Sequence, residues 1–105
     1  MSSRREKIEA MLAEDPQDTF LRYSLALELE KEGRHEESLE KLRDLADGDP
    51  PYVPAFFMAA QQLTKMNQID QASAILRDGI EHARSQGEDH AVAEMTEFLA
   101  SLANG

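Results

Sequence analysis

Histidines and clustered carboxylates are the residues of this chain that could do chemistry. His82 and His90 bracket the stretch "ARSQGED", and with Glu81, Glu88 and Asp89 they offer the nitrogen and oxygen donors that a divalent metal takes. Two histidines serve one helical metal site when they stand at i and i+4, and these do not. No metal site is expected. Glu36, Glu37 and Glu40 invite paired-carboxylate chemistry. Their place at the opening of a helix gives a plainer reason for them, because negative charge is favourable near a helix N-terminus. Nothing in the pattern indicates the desolvated cleft that would shift their pKa values. There is no cysteine, so thiolate ligands and disulfides are excluded. No glycine-rich phosphate loop follows a strand. The chain is expected to be neither an enzyme nor a cofactor carrier.

Charge narrows the partners. The net charge is −10, from 21 acidic and 11 basic residues, and the only basic concentration is Arg4, Arg5 and Lys7. Such a field repels phosphate backbones, so nucleic acid is an unsuitable ligand. A solvated helical surface accounts for the acidic excess, with the steering of a basic partner as the functional alternative. No apolar run approaches the roughly 20 residues that cross a bilayer, so no membrane association is expected. The start "MSSRREKIEAMLAEDP" lacks the apolar core of a secretory signal, which favours a cytoplasmic protein. At 105 residues, 41% hydrophobic and 30% charged, the composition is that of one small globular domain.

The elements that would position any site are helices. No window alternates with period two, and apolar stripes at helical spacing define about six helices. Ile8, Met11 and Leu12 mark the first, over about residues 3–14. Phe20 to Leu29 and Phe56 to Leu63 are apolar on more than one face, as helices contacted from two sides are. Between them Leu39, Leu42, Leu45 and Ala46 form a single stripe, as do Ile69, Ala72, Ile75, Leu76 and Ile80 further on. Val92, Met95, Leu99 and Leu102 close the chain. Met11, Met58, Met66 and Met95 read as core filler.

These helices repeat. Pro16 and Pro50 lie 50 − 16 = 34 residues apart, and the same offset pairs Ala26 with Ala60, Leu29 with Leu63, Gly33 with Asn67, Ser38 with Ala72 and Leu42 with Leu76. Gly33 and Asn67 fall where a helix must stop, and a left-handed residue there is cheap for Gly and tolerated by Asn. Small residues mid-helix let a second helix approach, and the leucines fill the space one turn later. Pro16 and Pro50 mark the ends of the preceding helices, while Pro54 suits the first turn of its own.

With these positions in hand, the chain resembles the tetratricopeptide repeat family, whose unit is a 34-residue pair of antiparallel helices. Leu25-Ala26, Leu29, Gly33, Ser38, Leu42 and Pro50 carry the resemblance in one repeat, about residues 19–52. Phe56, Ala59-Ala60, Leu63, Ala72, Leu76 and Gly79 carry it in a second, about 53–86. The resemblance implies an all-α fold, a short right-handed superhelix of helix hairpins making one domain over 1–105. Residues 3–14 would be a half-repeat and 88–103 a capping helix. Departures are Arg22 in place of a bulky aromatic, Leu45 in place of alanine, and Arg84 in place of proline. Leu45 should widen the local helix spacing, and "RSQGEDH" should form a looser, more polar connection.

The same resemblance implies function. Members of the family hold a peptide on the concave face lined by the first helix of each repeat. That maps the partner-binding surface onto Phe20, Tyr23, Leu27 and Glu30, followed by Pro54, Phe57, Gln61 and Thr64. Each set lies at i, i+3, i+7 and i+10, one face of a helix. A carboxylate clamp is not expected, because the corresponding positions carry Tyr23, Leu27 and Met58. An apolar ligand, or one with basic residues beside apolar anchors, fits better. The alternative is a homodimer formed through that face or a terminal helix.

Overall fold

The computed structural model describes residues 3–104. Six helices run along the chain: α1 (Arg4–Glu14), α2 (Thr19–Lys31), α3 (His35–Ala46), α4 (Val53–Lys65), α5 (Ile69–Ser85) and α6 (Asp89–Asn104). No strand occurs among the described residues. No described helix is long and apolar enough to cross a membrane. Each helix packs on the next in sequence, so the chain stacks into an elongated body of 45 × 29 × 18 Å. The all-α hairpin architecture read from the sequence is the observed one.

The 34-residue offset is exact in the helix starts, 53 − 19 = 34 for α2 and α4 and 69 − 35 = 34 for α3 and α5. Local chemistry explains where the helices stop. Gly33 (φ +81°) and Asn67 (φ +61°) adopt the left-handed conformation expected of them. In each turn the next amide reaches back to an orphan carbonyl, Arg34 N to Leu29 O at 2.9 Å and Gln68 N to Leu63 O at 2.8 Å. Gly87 (φ +72°) makes the same turn between α5 and α6, with Glu88 N to Ala83 O at 2.8 Å. The stretch "RSQGEDH" is therefore not the looser connection expected of it. Arg84 does not disrupt the helix as a proline would, so α5 runs on through Ser85, and Gly87 then reverses the chain at once.

At the other helix starts, Ser3 and Glu6 form a reciprocal capping box, Asp18 Oδ1 accepts from Leu21 N at 2.9 Å, and Pro54 sits in the first turn of α4. α1 ends just before Pro16, whereas α3 ends at Ala46, four residues ahead of Pro50.

The paired small residues are where the helices meet. Ala26, Ala60, Ser38 and Ala72 are fully buried, as are Leu42 and Leu76. Burying a leucine contributes about 1.5–3 kcal/mol. The main core runs from α2 to α6, and a smaller cluster of Ile8, Leu25 and Leu29, with Leu12 against it, fixes α1 to α2. Ion pairs border that smaller cluster, Arg4 to Glu28 at 2.7 Å and Arg5 to Glu32 at 2.9 Å. Two methionines depart from the expectation of core filler: Met11 and Met66 are 49% and 38% exposed, because each lies on the outward side of its helix end. Met95 is buried and Met58 half-buried.

One polar line crosses the interior. Gln62 Nε2 donates to Ser38 Oγ at 3.0 Å, and Ser38 Oγ donates to the Ala26 carbonyl at 2.6 Å. It ties α4 to α3 and α3 to α2, while Gln62 Oε1 is buried without a hydrogen-bond partner among the described residues.

Candidate binding groove

Equivalent positions of the two hairpins hold residues of very different size beside the groove. Leu45 late in α3 and Gly79 late in α5 are 79 − 45 = 34 residues apart. A Cβ at Gly79 would lie 2.6 Å from Phe56 Cβ and 2.7 Å from Met95 Sδ. Glycine thus lets α4 and α6 close on α5, and α4 and α6 come into contact with each other. Leu45 holds the corresponding place in the first hairpin and is buried there. The groove is an open concavity of about 840 Å³ bounded by α2, α4, α6 and the α3–α4 loop, within the range of ligand-binding clefts.

Its lining is aromatic and amide-rich. The Tyr23 ring from α2 meets the Tyr52 ring of the α3–α4 loop edge-on, with centroids 5.4 Å apart. Phe57 from α4 tilts against Phe98 of α6 at 5.7 Å. Both arrangements are favourable for aromatic pairs. Met58 and Gln61 continue the α4 side, Leu45 and Met95 form a buried floor, and Ala91 and Glu94 supply the α6 wall. Gln86 Nε2 donates to the Pro51 carbonyl at 3.0 Å, fastening the turn before α6 to the loop before α4. Burial, and secondarily Tyr52, raises the Tyr23 phenol above the ordinary tyrosine value, so it stays neutral at physiological pH.

Of the residues mapped to the concave face, Tyr23, Phe57 and Gln61 share this groove, with Pro54 at its edge. The other four lie outside it. Phe20 is 67% exposed at the start of α2, the most exposed large apolar side chain among the described residues. Leu27 is half-buried further along α2. Glu30 is held by His35, whose Nδ1 lies 2.8 Å from its Oε1. The Thr64 hydroxyl donates to its own helix at the Ala60 carbonyl, 2.8 Å away. Phe57 is also less open than a solvent-facing stripe suggests, because Phe98 covers one side of its ring.

Sequence reasoning missed Tyr52 and the whole α6 wall. Tyr52 sits in "PPYVP", which reads as a linker, and its aromatic ring beside two prolines was the available signal. The histidines have separate surroundings. His82 stacks on Phe56 at 5.4 Å, while His90 lies 3.4 Å from Glu94.

The stack of helical hairpins defines a repeat scaffold. Residues 29–94 match the family model described as tetratricopeptide repeat, and the chain belongs to that family. It is similar to a Bordetella parapertussis protein of known solution structure, with 29% identity and a TM-score of 0.82, covering 99% of this chain and 90% of that one. A tetratricopeptide repeat domain protein from Salinibacter ruber is similar at 28% identity and a TM-score of 0.79, covering 84% of this chain and 89% of that one. No curated protein matches the sequence. Proteins of this family are in general protein-interaction modules and typically non-catalytic scaffolds.

Proposed function

We propose that this chain is a non-catalytic adaptor that holds a peptide or a segment of a partner protein in the groove between α2, α4 and α6. The observation that carries this reading is the concavity in which Tyr23, Tyr52 and Phe57 converge from separate elements. Half-buried aromatic rings are held in place before any ligand arrives, so little ordering cost attaches to binding. Aromatic side chains are also the usual anchors of protein interfaces. The groove is not a carboxylate clamp, since its α2 and α4 walls present Tyr23, Phe57, Met58 and Gln61 where such a clamp needs several cations.

A peptide-display selection on the intact chain, counter-selected with Tyr23→Ala and Phe57→Ala, tests this. The expected outcome is a family of ligands whose affinity falls at least about tenfold on either substitution. Ligands indifferent to both would place binding elsewhere.

Self-association is the second reading, favoured by the exposure of Phe20 outside the groove. Light scattering over a dilution series separates the two. A dimer that dissociates on Phe20→Ala would support a structural role, and a monomer at every concentration would remove it.

A further inference from the structure

We propose that the segment held in the groove carries lysine or arginine beside its apolar anchor, with the cation seated at the end formed by Asp49 and Glu88. The inference rests on the groove being a binding face. Asp49 belongs to the loop before α4 and Glu88 to the turn before α6, and both line the concavity. The hydrogen bond from Gln86 Nε2 to the Pro51 carbonyl, 3.0 Å long, joins those two segments. Asp49 and Glu88 each stand two residues from one end of that bond.

Neither carboxylate has an ion-pair partner among the described residues. A third, Glu94, stands on the α6 wall, and Arg22 is the one cation lining the groove among the described residues. The rings of Tyr23, Tyr52 and Phe57 offer faces that attract a guanidinium or ammonium group. Charge-assisted hydrogen bonds to two carboxylates give such a group a defined seat. An acidic ligand would meet like charge both in the groove and over a chain of net charge −10. A second copy fits poorly for the same reason. Within the basic stretch at the start of the chain, Arg4 and Arg5 are already engaged with Glu28 and Glu32 of their own chain.

The test uses two blocked decapeptides containing Leu-Trp, one with two arginines on each side and one with glutamines in their place. Affinities are measured by calorimetry at physiological ionic strength, on the intact chain and on four variants. The arginine peptide should bind the unaltered chain about tenfold more tightly than the glutamine peptide. Asp49→Asn with Glu88→Gln, at two exposed positions, should erase that difference. Glu36→Gln with Glu40→Gln removes the same charge from the start of α3 and should change the arginine affinity by less than about twofold. Equal affinity for both peptides would overturn the cationic preference and leave the groove reading standing, provided Phe57→Ala weakens both. An equal effect of the two charge-removing pairs would mean diffuse attraction and would also overturn it. Binding of both peptides that is unmoved by Phe57→Ala or by Gln61→Lys would instead remove the groove reading. No binding of either peptide would overturn the cationic inference and leave the groove to the display selection.

Discussion

The two helical hairpins, α2–α3 and α4–α5, start from the same plan and end with different jobs. Both use a small residue mid-helix and a leucine one turn after the facing small residue, and both turn on a left-handed Gly or Asn. They differ at Leu45 and Gly79. Gly79 lets Phe56 and Met95 pack closely on α5, whereas Leu45 is buried at the equivalent place and lines the floor of the groove.

Exchanging those residues breaks the comparison most severely. Gly79→Leu should destabilise the chain by more than about 3 kcal/mol, since even its Cβ has no room between Phe56 and Met95. Chemical denaturation measures this, and detachment of α6 should accompany it as loss of the Phe57–Phe98 contact in aromatic NMR spectra. Leu45→Ala should cost about 2–5 kcal/mol, because the site is buried and its neighbours collapse only in part. A loss under about 1 kcal/mol would mean the floor of the groove is already yielding.

Ser38→Ala sharpens the comparison from the polar side. The second hairpin has Ala72 at the equivalent place, so the hydroxyl belongs to the first hairpin alone. Its removal leaves Gln62 Nε2 without its partner and should cost about 1–3 kcal/mol by denaturation. The smallest effect is at the N-terminal end. Hydrogen bonds from Ser3, first its backbone and then its hydroxyl partnership, hold the Glu6 carboxyl below the ordinary glutamate value. Its folded-state pKa is depressed, so its contribution is present above the unfolded value and lost as pH falls through the folded one. Amide protection in α1, taken relative to the intrinsic exchange rate at each pH, should therefore fall on acidification through the carboxylate range, with little change in α4 or α5, and Glu6→Gln should flatten the response.

Much of this was legible in the sequence because it rests on local chemistry. The 34-residue offset, the left-handed Gly33 and Asn67 and the buried small residues follow from backbone sterics and spacing. The part of the groove on α2 and α4 was legible through Tyr23, Phe57 and Gln61, since helical periodicity assigns them a face. What escaped depends on contacts distant in sequence. The α6 wall exists because Gly79 admits Met95, and Tyr52 faces Tyr23 only once the α3–α4 loop folds over. The compact turn at Gly87 was hidden by its polar neighbours, although a glycine after a long amphipathic helix is the usual sign of a helix stop. Met11 and Met66 show the converse, since their periodicity fits the apolar stripes while each stays substantially exposed.

The most direct test is residue-resolved NMR mapping of the tightest peptide from the display selection on the isotope-labelled chain. The account predicts the largest perturbations at Tyr23, Tyr52, Phe57 and Gln61, with smaller ones along Ala91 and Glu94 of α6. Perturbations concentrated on the outer faces of α3 and α5, or around Phe20 with the groove silent, would contradict it.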